Sequence, residues 1–236
     1  MHHPPGAAVQ AVLFDLDGTL VDSEALTDRA ILEELRPRGT PAATLPPQDT
    51  RGRTWADIAQ ALLARYPMAG EAEELAAGLE RRWIALADQG IVPIPGATAA
   101  LAAASKALPL AVVSSSPRAV IDAFLTRLGA AHCVAATARI GAGDAARAKP
   151  APDGFLLAAA RLGAAPAACV VFEDSVAGLQ GARDAGMASV AVLHACAQPG
   201  RCSTLAWRSV TDYRELPRDF WTRLATDGVR ILKEPW

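Results

Sequence analysis

Val12-Leu13-Phe14-Asp15-Leu16-Asp17-Gly18-Thr19-Leu20 is the stretch from which the rest of the chain can be read. A short apolar run ends in two carboxylates spaced by two residues and then in a glycine. Val12 to Phe14 does not alternate with polar residues, which suits a strand buried on both faces of a parallel sheet. In extended chain, residues i and i+2 point to the same side, so Asp15 and Asp17 face one crevice. Open parallel sheets bind ligands at that carboxyl edge. Two carboxylates held together repel, and either a bound cation or a proton kept on one of them relieves the repulsion. Taken alone, the same residues also suit an Asx-type turn after a strand. A calcium loop of EF-hand type is excluded, because the sixth position from Asp15 is Leu20 where Gly is needed and the twelfth is Leu26 where Glu is needed.

Outward from this stretch, four more apolar runs read as buried strands: Leu110 to Val113, Cys133 to Ala136, Cys169 to Phe172 and Val190 to Leu193. Between the later runs lie segments of helical length, Arg118 to Leu128, Pro152 to Leu162 and Val176 to Ala185, the last two followed by Gly163 and Gly186 where a C-terminal cap belongs. Alternation of strand and helix predicts an α/β fold with a doubly wound, Rossmann-like parallel sheet. From Ser23 to Val92 the rhythm breaks. Leu75, Leu79, Trp83 and Leu86 form one helical stripe, and Trp55, Ile58 and Leu62 another. A small helical insertion is therefore expected over residues 23–92, with the core at 1–22 and 93–236. Its exits, Val21-Asp22-Ser23 and Pro93-Ile94-Pro95-Gly96, read as stiff turns, and Pro37 to Asp49, with four prolines, as a loop. Phe220 to Leu224 suggests a short terminal helix.

Composition narrows the function. The 236 residues carry 23 Lys+Arg against 25 Asp+Glu, a formal charge of −2, with 51% apolar and 20% charged residues. Near-neutral charge without a basic cluster argues against nucleic acid or an anionic membrane as partner. No window has spanning quality, and Met1-His2-His3-Pro4-Pro5 does not resemble a signal peptide, so a cytoplasmic location and a small-molecule partner are expected. Cys133, Cys169, Cys196 and Cys202 are too few and too irregularly spaced for a disulfide framework or a zinc site. Cys133 and Cys169 read as small buried hydrophobes.

Three further elements end strands at the same edge. Glu173-Asp174 precedes Ser175, a good N-cap for the following helix. Asp174 alone reads as a helix-start acid stabilised by the dipole; paired with Asp15 and Asp17 it suits an oxygen-rich Mg²⁺ site. Lys149-Pro150-Ala151-Pro152-Asp153 holds one of only three lysines (Lys106, Lys149 and Lys233) beside prolines, where its charge can offset phosphate oxygens or the carboxylates. Ser114-Ser115-Ser116 before Pro117 combines hydroxyls with a helix start, an arrangement that suits an anion or simply opens a helix.

In order and on successive strand ends, these four elements resemble the haloacid dehalogenase superfamily of phosphohydrolases. The helical insertion is similar to the small α-helical cap of its beta-phosphoglucomutase and sugar-phosphate phosphatase branch. The resemblance implies that Asp15 attacks phosphorus to form an aspartyl-phosphate and that Asp17 serves as general acid and then base. It implies Mg²⁺ held by the Asp15 carboxylate, the Asp17 backbone carbonyl and Asp174, with Glu173 as ligand or supporting partner. Ser114 and Lys149, with Ser115 nearby, would bind the transferring phosphoryl group.

Within the family, Asp17 disfavours dehalogenation, because dehalogenases lack that second aspartate. The absence of any lysine before Lys106 closes the Schiff-base route of phosphonatases. Phosphoglucomutases of this type use a cap histidine and a cap lysine; here the histidines are His2, His3, His132 and His194, so water is the expected acceptor. A sugar phosphomutase and a non-catalytic phosphosugar-binding protein are the alternatives. Substrate choice is expected from the cap, where Arg51 or Arg53 can clamp a second anionic or hydroxylated group and Glu24 can accept from sugar hydroxyls. The expected partner is a small phosphomonoester, a sugar phosphate, a sugar-acid phosphate or phosphoglycolate, and the chain is expected to act as a monomer.

Overall fold

In the computed structural model of the chain, residues 8–40, 43–50 and 53–236 are described. Ala11–Phe14 forms β1, every side chain buried, and it pairs in parallel with two strands at once. On one side lies β4 (Leu110–Val113), with Phe14 level with Val112; on the other lies β6 (Cys169–Glu173), with Phe14 level with Phe172. The antiparallel pair β2 (Val21–Asp22) and β3 (Val92–Pro93) stands apart from this sheet. Among the described residues the main sheet has six strands, in the order β5-β4-β1-β6-β7-β8, where β5 is Arg139–Ile140, β7 Ala188–Val192 and β8 Arg208–Val210. All its pairings are parallel. The chain winds out through β4 and β5, returns to β6, and winds the other way. The reversal beside β1 opens a crevice above the ends of β1, β4 and β6.

Between β2 and β3 the chain is helical: α1 (Glu24–Leu35), α2 (Pro47–Thr50), α3 (Trp55–Arg65) and α4 (Ala72–Ala87). Thr54 caps α3, its hydroxyl accepting from the Asp57 amide while the Asp57 carboxylate accepts from the Thr54 amide. Ile31, Leu35, Ile58, Leu62, Leu75 and Leu79 form an apolar cluster separate from the main core. Trp83 of α4 leaves that cluster and packs edge-on against Phe124 at 5.3 Å. The core helices are α5 (Ala97–Ala107), α6 (Arg118–Arg127), α7 (Asp153–Arg161), α8 (Val176–Asp184), α9 (Pro199–Leu205) and α10 (Phe220–Asp227).

Several sequence expectations shift. Cys133 to Ala136 is not a strand: Ala131–Cys133 and Ala136–Ala138 are 3₁₀ turns, and the strand begins at Arg139. Within that stretch the Arg139 guanidinium takes the Val134 carbonyl (2.8 Å), and it also holds the preceding Ala131 carbonyl (2.6 Å). The proline-rich stretch expected as a loop contains a 3₁₀ turn at Arg36–Arg38 and the short α2, with Pro37 and Pro47 in first turns where a missing N–H costs nothing. The tail supplies β8, whose signal is short and polar. Trp221 is buried against Phe14, Phe172 and Phe220. No helix among the described residues is long and apolar enough to cross a membrane.

Candidate active site

The ends of β1 and β6 bring three carboxylates together. The Asp15 amide donates to the Phe172 carbonyl (2.9 Å), which carries the ladder one residue past β1 and fixes Asp15 at the edge. Glu173 ends β6 and Asp174 follows it. All three acids are buried, and one oxygen from each lies within 4.8 Å of the others. Lys149, in the loop before α7, reaches into this cluster. Its Nζ donates to Asp15 Oδ1 (2.5 Å), Glu173 Oε2 (2.8 Å) and the Val113 carbonyl (3.0 Å), which uses all three of its protons. Burial pushes the Asp15 carboxyl well above the usual range, Glu173 and Asp17 add to this, and Lys149 opposes it. Burial also works against the Lys149 charge, but Asp15 and Glu173 outweigh it and hold the ammonium above its ordinary pKa.

One ammonium among three buried carboxylates leaves negative charge uncompensated, and the donors are all hard oxygens. That donor set fits Mg²⁺. The acids are not equivalent, however. Both Glu173 oxygens are engaged, Oε2 by Lys149 and Oε1 by the Ser175 amide (3.1 Å) and hydroxyl (2.7 Å). Asp174 Oδ1 accepts from Thr19 (3.2 Å). Glycines make room for both acids. A Cβ on Gly18, which sits at φ +78°, would lie 2.2 Å from Asp174 Oδ2, and a Cβ on Gly178 would lie 2.0 Å from Glu173 Cδ.

The Asp17 carboxylate is turned away from this cluster. Oδ1 accepts from Ser23 (2.8 Å), and Oδ2 from Ser116 (2.8 Å) and Ser114 (3.2 Å). Burial raises its pKa, and the three hydroxyls hold it back. The cluster of possible side-chain ligands is thus Asp15, Glu173 and Asp174, without the Asp17 side chain. Ser114 and Ser115 stand where the sequence puts them, at the end of β4, and Ser115 lines the cleft over Asp15 and Asp17. Arg53 and Trp55 enter that cleft from the insertion, and its free volume is about 40 Å³. Glu24 begins α1, but its side chain, like the whole of Arg51, lies outside the described residues. Sequence reading missed Ser23 and Ser116 as partners of Asp17, and Thr19 as a partner of Asp174. Ser116 had a signal in the triple serine, whereas nothing local marks Ser23.

Comparison with known proteins bears on this site. A family model described as haloacid dehalogenase-like hydrolase matches residues 9–186. Fructose-1-phosphate phosphatase YqaB of Escherichia coli (strain K12) is 33% identical over 181 residues, covering 77% of this chain and 95% of that protein. Hexitol phosphatase A of the same organism is 38% identical over 184 residues, covering 76% and 81%. Among solved structures, a haloacid dehalogenase hydrolase of family IA from Entamoeba histolytica superposes with TM-score 0.77 at 24% identity, covering 92% of this chain and 99% of that one.

Proposed function

The chain belongs to the haloacid dehalogenase-like hydrolases, and from that premise we propose that it is a Mg²⁺-dependent phosphatase of small phosphorylated metabolites, working through an aspartyl-phosphate. The observation that carries this reading is the division of labour between the two aspartates. Asp15 lies in the acidic cluster, 2.5 Å from Lys149, while Asp17 is held apart by three hydroxyls. Asp15 attacks phosphorus and the leaving alcohol departs with a proton from Asp17, which then takes a proton from the hydrolytic water. Upward displacement of the Asp17 pKa by burial favours the protonated form that the first step needs. Asp15 and Asp174, with the Asp17 carbonyl, would hold Mg²⁺, which when bound supplies charge neutralisation for the phosphoryl oxygens. Glu173, with both oxygens engaged, orients Lys149 instead of ligating. Ser114, Ser115 and Lys149 hold the phosphoryl group.

Residues 23–92 act as a cap on a core of residues 1–22 and 93–236, and Arg53 faces the part of the substrate that does not react. Relatives named for fructose 1-phosphate and hexitol phosphates support a sugar or polyol phosphate as substrate. The composition suits a cytoplasmic monomer. The decisive experiment is Mg²⁺-dependent phosphate release from a panel of sugar phosphates, sugar-acid phosphates and phosphoglycolate, with Asp15→Asn alongside. Turnover that falls at least ~10³-fold in the variant and disappears with chelator is the expected result. Isomerised sugar phosphate with little released phosphate would point to a mutase, and Mg²⁺ binding without turnover on any substrate to a binding protein.

A further inference from the structure

Cys196 and Cys202 take no part in the chemistry above, yet they touch its edge. The chain after β7 turns so that their Sγ atoms lie 3.1 Å apart, both reduced. A disulfide needs about 2.0 Å, so about 1 Å of closure joins them. Cys202 is wholly buried, packed with Leu179 and Ala191, whereas Cys196 is partly exposed. Only Cys196 therefore meets a solute directly. Cys202 Sγ also donates to the carbonyl of Asp174 (3.3 Å), just before α8. The thiol pair is thereby joined to a residue of the acidic cluster.

We propose that Cys196 and Cys202 form a reversible disulfide driven by hydroperoxides, which weakens cation binding through Asp174. The link to cation binding rests on Asp174 holding Mg²⁺ as proposed above; the disulfide itself does not. Cys196 Sγ attacks one oxygen of ROOH, forming S–O and breaking O–O, and the thiol proton leaves with ROH. Cys202 Sγ then attacks the Cys196 sulfur, forming S–S and breaking S–O, and the departing hydroxide takes the Cys202 proton as water. Two thiols lose two electrons in total, and one hydroperoxide is reduced to ROH and water. The bond removes the S–H that Asp174 accepts. Inside cells, disulfides of this kind are transient and regulatory.

Trypsin cuts at Arg201, between the two cysteines, so after hydrogen peroxide treatment of the full chain the bond reads as residues 184–201 cross-linked to residues 202–208. Dithiothreitol should separate them. Sulfinic acid on Cys196 without the cross-link, or two thiols that stay open to alkylation, would overturn the proposal. Calorimetric titration with Mg²⁺ is expected to give a Kd about fivefold higher for the oxidised protein. An unchanged Kd with the cross-link formed overturns the coupling. Cys196→Ser should show neither the cross-link nor the loss of affinity under peroxide. If Mg²⁺ binds neither form, the cation-site reading fails and the coupling fails with it, while the peptide masses still decide the disulfide.

Discussion

Lys149 is buried on all sides by its own partners, with Asp15 and Glu173 on its ammonium and the Phe155 ring 5.2 Å away. Breaking such a pair from one side leaves uncompensated charge, at a cost of about 3–5 kcal/mol. Lys149→Met should therefore lower the Tm by about 10 °C without metal, and Mg²⁺ should recover part of the loss. A thermal melt of the variant with and without Mg²⁺ checks this, and an unchanged Tm would show that the cluster is not held by charge. Asp212 behaves differently. Its carboxylate accepts from the Arg214 guanidinium and amide, and this holds its pKa below the usual carboxylate value. A depressed folded-state pKa gives stability that is present above the unfolded value and lost as pH falls through the folded one. Asp212→Asn should cost about 1 kcal/mol at pH 7, discounted for the exposed Arg214. Urea unfolding at pH 7 and below pH ~3 should show the gap closing in acid, and a gap that persists there would contradict the assignment.

At the scale of elements, the start of α8 matters most. Ser175 caps the helix through the Gly178 amide (3.0 Å) and also donates to Glu173, so one turn both begins the helix and fixes the carboxylate that holds Lys149. Gly178 is required there by close approach, since its φ is ordinary but a Cβ would overlap Glu173. Gly178→Ala should cost about 1–3 kcal/mol as an overpacked site. It should also cut turnover, because displaced Glu173 no longer orients Lys149. Activity assays beside chemical denaturation separate the two effects, and a folded variant with full activity would remove Glu173 from the proposed role.

Over the whole molecule, Trp83 joins the helical insertion to the core. It is nearly fully buried, edge-on to Phe124 of α6 and 6.1 Å from Trp55 of α3. The cleft over Asp15 that the insertion lines with Arg53 and Trp55 has only about 40 Å³ free. The paired β2 and β3 are where the chain crosses into and out of the insertion. Trp83→Ala should destabilise the protein by about 3–5 kcal/mol, read by chemical denaturation. Equal stability of Trp83→Ala and the parent chain would mean that this ring does not hold the two parts together.

Much of this was legible in the sequence because it is local. Two aspartates at i and i+2 after a buried run, a glycine beside them, an acidic pair before a helix cap and two helical stripes are patterns within a few residues of one another. They determine the α/β class, the helical insertion and the strand ends that carry Asp15, Glu173 and Asp174, with Lys149 in the loop before α7. What the tertiary structure decided is pairing across the chain. Ser116 meets Asp17 from 99 positions away, Thr19 meets Asp174 from 155, and Lys149 engages one Glu173 oxygen while Ser175 engages the other. The strand at Arg139–Ile140 was likewise hidden, because it lies beyond the apolar run Cys133 to Ala136, in which Val134 gives its carbonyl to the Arg139 guanidinium. Periodicity reports which face of an element is buried. Which atom a buried polar group meets depends on how the strands are ordered, and no local window contains that order.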